Sequence, residues 1–241
     1  MSRNPILQRD IDTKLHVSSL LGEVFMGTIR FFAALTALSF SLFGQGVERW
    51  SVKVGVPAGT NFSKTTAVAM ADLLALKDVP GVSHNDKRYQ ADRIPGKAGE
   101  RYPEGKLVTT TGWLHLVAGE TDGDYHIQLS DSPTTGDNCL IVEVPNEEEK
   151  FTPDGELRPK FQAVRDLIKT KMLGGKDPSA SGSVMQHPVY VTVTGILFYD
   201  DAHVGDQPRG KKGMKAATLW ELHPVTSMAF APKPPTKPAS N

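Results

Sequence analysis

The sequence predicts a mainly β fold: a small five-stranded barrel with one inserted helix, preceded by an N-terminal extension. Three observations lead to this prediction. Five stretches carry the apolar patterns of strands, one stretch between the third and fourth has helical periodicity, and two strands contain a central glycine, which indicates strong curvature. The five stretches are residues 107–117, 125–130, 139–144, 189–199 and 218–228.

The second stretch has the clearest strand pattern. Residues 125–130 alternate apolar and polar side chains without a break, so we expect one buried face, with His126, Gln128 and Ser130 on the other. The Asp-Gly pair at residues 122–123 is a strong signal for a β-hairpin turn. The first two strands are therefore expected to form a hairpin.

One helix is predicted between the third and fourth strands, over residues 157–172. Apolar residues recur there at the three- and four-residue spacing of one helical face. They are Phe161, Val164, Leu167, Ile168 and Met172. The order β-β-β-α-β-β, with central glycines at Gly112 and Gly195, is that of the OB-fold, a small, partly open Greek-key barrel. A β-sandwich would need more strands and no helix of this length.

The chain is predicted to hold one compact core with appendages. The segments in chain order are an upstream extension (1–25), a signal peptide (26–46), an N-terminal region (47–106), the barrel (107–228) and a disordered, proline-rich tail (229–241). Within the N-terminal region we expect an extended arm at 48–53, a short helix at 65–76 and a surface connection at 80–105.

The signal-peptide prediction comes from the uncharged, apolar run at residues 31–43. This run is shorter than the ~20 residues of a membrane-spanning helix and is followed by small residues suited to cleavage after Gly46. Met26 would be the start of the translated chain. The sequence therefore predicts an exported protein, periplasmic or extracellular, with no stable membrane anchor after cleavage. The alternative is a buried helix of the folded domain.

Three histidines lie in polar contexts that suit chemistry. His126, His203 and His223, with Asp201 or Glu221, are expected to approach one another in this topology, and they are the candidate catalytic residues. The same histidines are candidate ligands for a divalent metal, because imidazole and carboxylate groups form a common zinc ligand set. Their spacing matches no local metal motif. The alternative is strand-edge histidines that are hydrogen-bonded to neighbouring carboxylates.

The long loop at residues 200–217 is basic and glycine-rich in its second half. OB-folds bind oligonucleotides and oligosaccharides with the equivalent loop and with the face of strands two and three. The predicted ligand contacts are Gln128, Ser130, Arg209, Lys211 and Lys212. The whole chain has 27 basic and 27 acidic residues, which argues against a polyanion binder that depends on bulk charge. The single cysteine, Cys139, cannot form an internal disulfide and is expected to be buried and inert.

Several short motifs resemble a group of uncharacterised secreted bacterial proteins. The similar stretches are residues 124–131, 198–203 and 221–225. In that group a signal peptide and an Arg-Trp-x-Val-Lys segment, here residues 49–53, precede an OB-like domain. The resemblance implies export and an OB-like fold. It implies no activity and no functional residue.

Three functions remain open from the sequence. The first is an exported, monomeric binding module for an extended polymer, either nucleic acid or glycan, or for a small ligand. The second is a metal-dependent hydrolase, with phosphodiesters as a candidate substrate class, that uses the histidine and carboxylate residues. The third is a structural envelope protein without a ligand.

Overall fold

Five strands close into a barrel in the computed structural model, which describes residues 49–206, 209–232 and 234. The elements in chain order are α1 (Trp50–Lys53), β1 (Thr66–Ala67), α2 (Met70–Leu74), β2 (Leu107–Gly119), β3 (Tyr125–Ser130), β4 (Cys139–Val144), α3 (Arg158–Lys171), β5 (Ser183–Tyr199) and β6 (Ala216–Phe230). Two short 3-10 turns, Lys87–Tyr89 and Asp201–His203, complete the set. The predicted order of five strands and one inserted helix is confirmed.

The barrel closes because β5 pairs with strands on both of its sides. Around the sheet the order is β1-β2-β3-β4-β6-β5, and β5 also pairs antiparallel with β2. The pairing of β4 with β6 is parallel, and the other pairings within the barrel are antiparallel. The short strand β1 adds to β2 in parallel, outside the five-stranded closure.

The apolar core lies on one face of the strands and is covered by α3. Ile127, Leu129 and Leu222 are fully buried there. Phe161 and Ile168 of α3 are also fully buried and belong to the same cluster, which confirms the predicted apolar face of the helix. Burial of each such side chain contributes about 1.5–3 kcal/mol to the transfer free energy.

The two central glycines, Gly112 and Gly195, have different structural roles. At Gly195 the β5–β6 register shifts, as expected for a bulge, and an added Cβ would lie 3.0 Å from the Leu222 Cβ. At Gly112 the strand is regular, and the bulge of β2 lies between Leu114 and Leu116 instead. An added Cβ at Gly112 would lie 2.4 Å from the Met70 Cε and 3.0 Å from the Ser130 carbonyl oxygen, because α2 packs directly on this strand.

The N-terminal region differs from its prediction. The expected extended arm is a helical turn, α1, and the expected helix at 65–76 divides into β1 and the shorter α2. This division occurs because Thr66 and Ala67 pair with the edge of β2, which satisfies their backbone groups in an extended conformation. The connection at 80–105 runs over the surface but buries Ile94 and Glu104.

A buried ion pair joins this region to the barrel. The Arg49 guanidinium donates to both carboxylate oxygens of Glu104, at 2.7 Å each. Its remaining three N–H groups donate to the carbonyl oxygens of Tyr89, Asp92 and Tyr199, each at 2.9 Å. All five donors of a fully buried arginine are therefore satisfied. The pair connects the start of α1, the surface connection and the end of β5.

Several predicted segments lie outside the described residues. These are the upstream extension at 1–25, the signal peptide at 26–46 and most of the tail. Within the part of the chain that the structure describes, no helix combines the length and the apolar character needed to span a bilayer.

We expect the Arg49→Met variant to lose about 3–5 kcal/mol of unfolding free energy, because it leaves the Glu104 carboxylate buried without its cation. Urea denaturation measures this loss. The matched control is Arg158→Met, since Arg158 pairs with Glu149, whose side chain is 81% exposed, and an exposed pair contributes less than about 1 kcal/mol. Equal losses in the two variants would contradict the role given to Arg49.

Candidate functional site

A polar stripe crosses three neighbouring strands on the face opposite the apolar core. On β3, His126 alternates with core residues and stands directly across from Glu143 of β4. On β6, Glu221 stands across from Ile141 of β4, and His223 follows two residues later. The strand pairing therefore brings two imidazoles and two carboxylates onto one buried surface.

Glu143 lies at the centre of this stripe. Its Oε1 accepts a hydrogen bond from His126 Nδ1 at 2.9 Å, and its Oε2 lies 3.2 Å from His223 Nδ1. The Nζ of Lys53, at the end of α1, lies 3.7 Å from the same Oε2. Burial alone would raise the pKa of Glu143, but the charge of Lys53 and the hydrogen bond from His126 outweigh it and hold that pKa well below its usual range. Glu143 is therefore an ionised carboxylate.

His223 is fully buried among carboxylates. Its Nε2 lies 3.2 Å from Asp124 Oδ2, and its Nδ1 lies 3.2 Å from Glu143 and 3.8 Å from Glu221. These approaches are not aligned as hydrogen bonds. Among the described residues, both ring nitrogens and Asp124 Oδ2 lack a hydrogen-bond partner. Buried polar atoms without a partner cost about 1–3 kcal/mol each, so this arrangement calls for an explanation.

Burial and neighbouring charges act in opposite directions on the pKa of His223. Burial lowers the pKa of the imidazole, whereas the adjacent carboxylates of Asp124, Glu143 and Glu221 raise it, and the result is a pKa well above the ordinary value. The same balance raises the pKa of His126, against burial, mainly through its hydrogen bond with Glu143. Both rings are therefore in an environment that favours a positive charge.

A second part of the site comes from the β5–β6 loop. Arg209 Nη2 lies 2.6 Å from Asp200 Oδ2 and also contacts Glu221 Oε1. His203 Nδ1 lies 2.8 Å from the same oxygen of Asp200. Within the described part of the chain, Arg209 Nη1 is buried and has no hydrogen-bond partner.

The rim carries a further ion pair. Lys211 Nζ lies 3.0 Å from Glu120 Oε1, and that oxygen is 3.5 Å from His126 Nδ1. Contacts within 4 Å thus link twelve side chains, which we call the Glu143 network: Lys53, Glu120, Asp122, Asp124, His126, Glu143, Asp200, His203, Arg209, Lys211, Glu221 and His223. It contains six carboxylates, three fixed cations and three imidazoles. With neutral imidazoles its net charge is −3.

A pocket of about 440 Å³ opens onto this network. It lies between the β2–β3 loop, the faces of β3 and β4, and the β5–β6 loop, which is where OB-folds bind their ligands. Among the described residues that line it, Ile141 is the one large apolar side chain, and none is a phenylalanine, tyrosine or tryptophan. Base-stacking platforms, which single-strand binders use, are therefore absent from this part of the described surface.

Two sets of side chains in the network have the geometry to hold a metal ion. One is Glu120, His126 and Glu143, and the other is Asp124, Glu143 and His223. In each set the potential ligand atoms lie within 4.8 Å of one another. Imidazole and carboxylate donors suit zinc, manganese and related divalent cations.

The structure places most of the predicted catalytic candidates in the network. His126 and His223 meet at Glu143, Glu221 lies beside His223, and His203 joins through Asp200. Asp201 lies elsewhere. Its Oδ2 accepts a hydrogen bond from Asp86 N at 2.8 Å, because the chain turns after β5 and consecutive side chains point in different directions.

The predicted polymer contacts are mostly internal. Gln128 and Ser130 are fully buried, and Gln128 Oε1 accepts a hydrogen bond from Lys211 N at 2.7 Å. Arg209 is buried between two carboxylates, Lys211 lines the pocket, and the exposed Lys212 lines a separate groove. Polymer binding by these five residues stays a prediction.

Sequence reasoning missed three central residues: Glu143, Asp124 and Lys53. The available signal for Glu143 was a lone charge inside an apolar strand, at a position that shares a face with His126 once the strands pair.

No family model, no curated protein and no solved structure matches the chain. The resemblance to secreted bacterial proteins therefore stays a prediction, and the site is interpreted from its geometry.

We expect the Cys139 thiol to react slowly with alkylating reagents. It is fully buried, and burial raises its pKa to about 11, so roughly one thiol in a thousand is ionised at pH 8. The rate at pH 8, followed by mass spectrometry, should be at least about a hundredfold below that of the urea-denatured chain. Similar rates in the folded and denatured chains would contradict this environment for Cys139.

Proposed function

We propose that this protein is a metal-dependent hydrolase that acts on small anionic esters, with phosphodiesters as the substrate class. One observation carries the proposal: two buried imidazoles, His126 and His223, share the carboxylate of Glu143 beside an open polar pocket. The proposal extends the prediction of a divalent metal at these histidines.

The chemistry of the donors supports a metal. A cation placed among Asp124, Glu143 and His223 would give a partner to buried ring nitrogens and a carboxylate oxygen that have none among the described residues. It would also offset the excess of six carboxylates over three fixed cations, which is costly in a desolvated environment when the ligand histidines are neutral. Such a cation lowers the pKa of a bound water and polarises a substrate oxygen.

The basic groups of the pocket support an anionic substrate. Arg209 Nη1 is a buried donor without a partner in the described structure, and Arg209 lines the pocket. Lys53 and Lys211 line it as well. The volume of about 440 Å³ lies within the range of small-molecule sites, about 300–1,000 Å³.

Hydrolysis would proceed by attack of water on phosphorus. The water oxygen forms the new bond to phosphorus, the ester P–O bond breaks, and the leaving alkoxide takes up a proton while the attacking water loses one. His203 is suited to move a proton at the pocket because its side chain is 43% exposed, lines the pocket and is held by Asp200. The pKa of His203 is raised, chiefly by Asp200, so its acid form is populated near neutral pH.

The test is hydrolysis of bis(4-nitrophenyl) phosphate by the full chain, first stripped with a chelator and then reloaded with Mn²⁺ or Zn²⁺. We expect activity in the reloaded protein and none in the stripped protein. The His126→Ala variant should lose at least about a hundredfold in rate, since even groups that only support a metal ligand typically contribute 10–100-fold.

The matched control is His187→Ala, because His187 is exposed and lies outside the Glu143 network. It should keep the metal and the rate. Metal binding without hydrolysis of any phosphate ester would overturn the hydrolase part of the proposal. A chain that binds no divalent cation at micromolar concentration would overturn all of it.

A further inference from the structure

The two candidate ligand sets overlap at one residue, and its two oxygens face different histidines. Glu143 Oε1 lies 2.9 Å from His126 Nδ1, and Glu143 Oε2 lies 3.2 Å from His223 Nδ1. A carboxylate that bridges two metal ions uses one oxygen for each ion. Glu143 therefore has the position and the orientation of a bridging ligand.

Each side of Glu143 supplies a matching second pair of ligands. On one side Asp124 Oδ2 lies 3.2 Å from His223 Nε2. On the other side Glu120 Oε1 lies 3.5 Å from His126 Nδ1. Both sides thus combine one imidazole, one terminal carboxylate and one oxygen of the shared carboxylate.

The two sides differ in their access to solvent. Asp124 and His223 are fully buried, so the side that they form is closed. His126 and Glu120 line the pocket, and the Glu120 side chain is 30% exposed. Structural metal sites are closed and catalytic sites keep an open position, so the inner side suits a retained ion and the outer side suits an ion that meets substrate.

The charge of the network is consistent with two ions. His126 and His223 must be neutral to act as metal ligands; apart from His203, the six carboxylates and three fixed cations then sum to −3, so one divalent ion leaves −1 and two leave +1. The positive net charge that two ions leave would attract an anionic substrate, whereas the negative net charge that one ion leaves would repel it. In addition, the inner side contains the buried nitrogens of His223 and the Asp124 oxygen that have no hydrogen-bond partner among the described residues, an observation independent of charge.

We infer that the centre is dinuclear, with an inner divalent ion held by Asp124, Glu143 and His223, an outer divalent ion held by Glu120, His126 and Glu143, and the Glu143 carboxylate bridging them. This inference rests on the proposed metal-dependent function and specifies its metal content. Two ions at a separation of about 3.5–4 Å form the usual clamp for both the attacking and the leaving oxygen in phosphoryl transfer.

The experiment is a titration of the chelator-stripped full chain with Mn²⁺, followed by isothermal calorimetry and by electron paramagnetic resonance. We expect two Mn²⁺ per chain and, at two equivalents, the multiline spectrum of an exchange-coupled pair. The Glu120→Gln variant should bind one Mn²⁺ and give the spectrum of an isolated ion, because it alters a partly exposed ligand of the outer side. Glu143→Gln should abolish the coupled spectrum.

The His187→Ala variant serves as the matched control and should bind two ions with the wild-type spectrum. Circular dichroism of the stripped variants shows whether each one folds, and Glu120→Gln keeps the test decisive if Glu143→Gln does not fold. One ion per wild-type chain would overturn the dinuclear centre and leave the proposed function standing. Two uncoupled ions would overturn the bridge, and no bound ion would overturn both proposals.

Discussion

The structure depends on the buried ion pair of Arg49 and Glu104. A buried pair is costly to desolvate, and it is stable here because the guanidinium donates all five of its N–H groups to oxygens of the protein. It joins a segment outside the barrel to the end of a barrel strand. The segment outside the barrel is α1, which ends at Lys53 near Glu143, and the barrel strand is β5, which leads into Asp200. The N-terminal segment is therefore part of the site, although it is distant in sequence.

The barrel supplies the centre of the site and the loops supply its rim. The antiparallel pairing of β3 with β4 places His126 opposite Glu143, and the parallel pairing of β4 with β6 brings Glu221 and His223 alongside. Residues on paired strands hold their separation because the backbone hydrogen bonds fix the register. His126, Glu143, Glu221 and His223 are thus on strands, whereas Arg209 and Lys211, which meet the open pocket, are on the longer loop.

How well the sequence predicts an element depends on whether local patterns or contacts between distant residues determine it. Strands β3 and β4 and helix α3 follow from local patterns, and the predicted ranges agree with the structure. The approach of His126 and His223 follows from the strand order of the fold. Other features depend on long-range contacts that local patterns do not contain. The division of residues 65–76 follows from pairing with β2, and the choice of Asp200 over Asp201 follows from a one-residue step in a turn. The fold, the histidine pair and Glu221 were therefore accessible from sequence, whereas Glu143 and Asp124 were not.

The Glu143 network differs from the Arg49 and Glu104 pair in how well its buried charges and polar atoms are compensated. Interiors tolerate ionised groups when each charge has a counter-charge and each polar atom has a hydrogen bond. The Arg49 and Glu104 pair meets both conditions, but the Glu143 network does not, since its carboxylates outnumber its lysine and arginine side chains and it contains described buried atoms without hydrogen-bond partners. One chain thus holds a satisfied ion pair and an unsatisfied network a short distance apart. Hydrogen bonding within the protein explains the first, whereas the second is the arrangement that the proposed cations would complete. The barrel covers its other face with apolar side chains, whereas this face carries the charged groups on which the proposed cation sites rest.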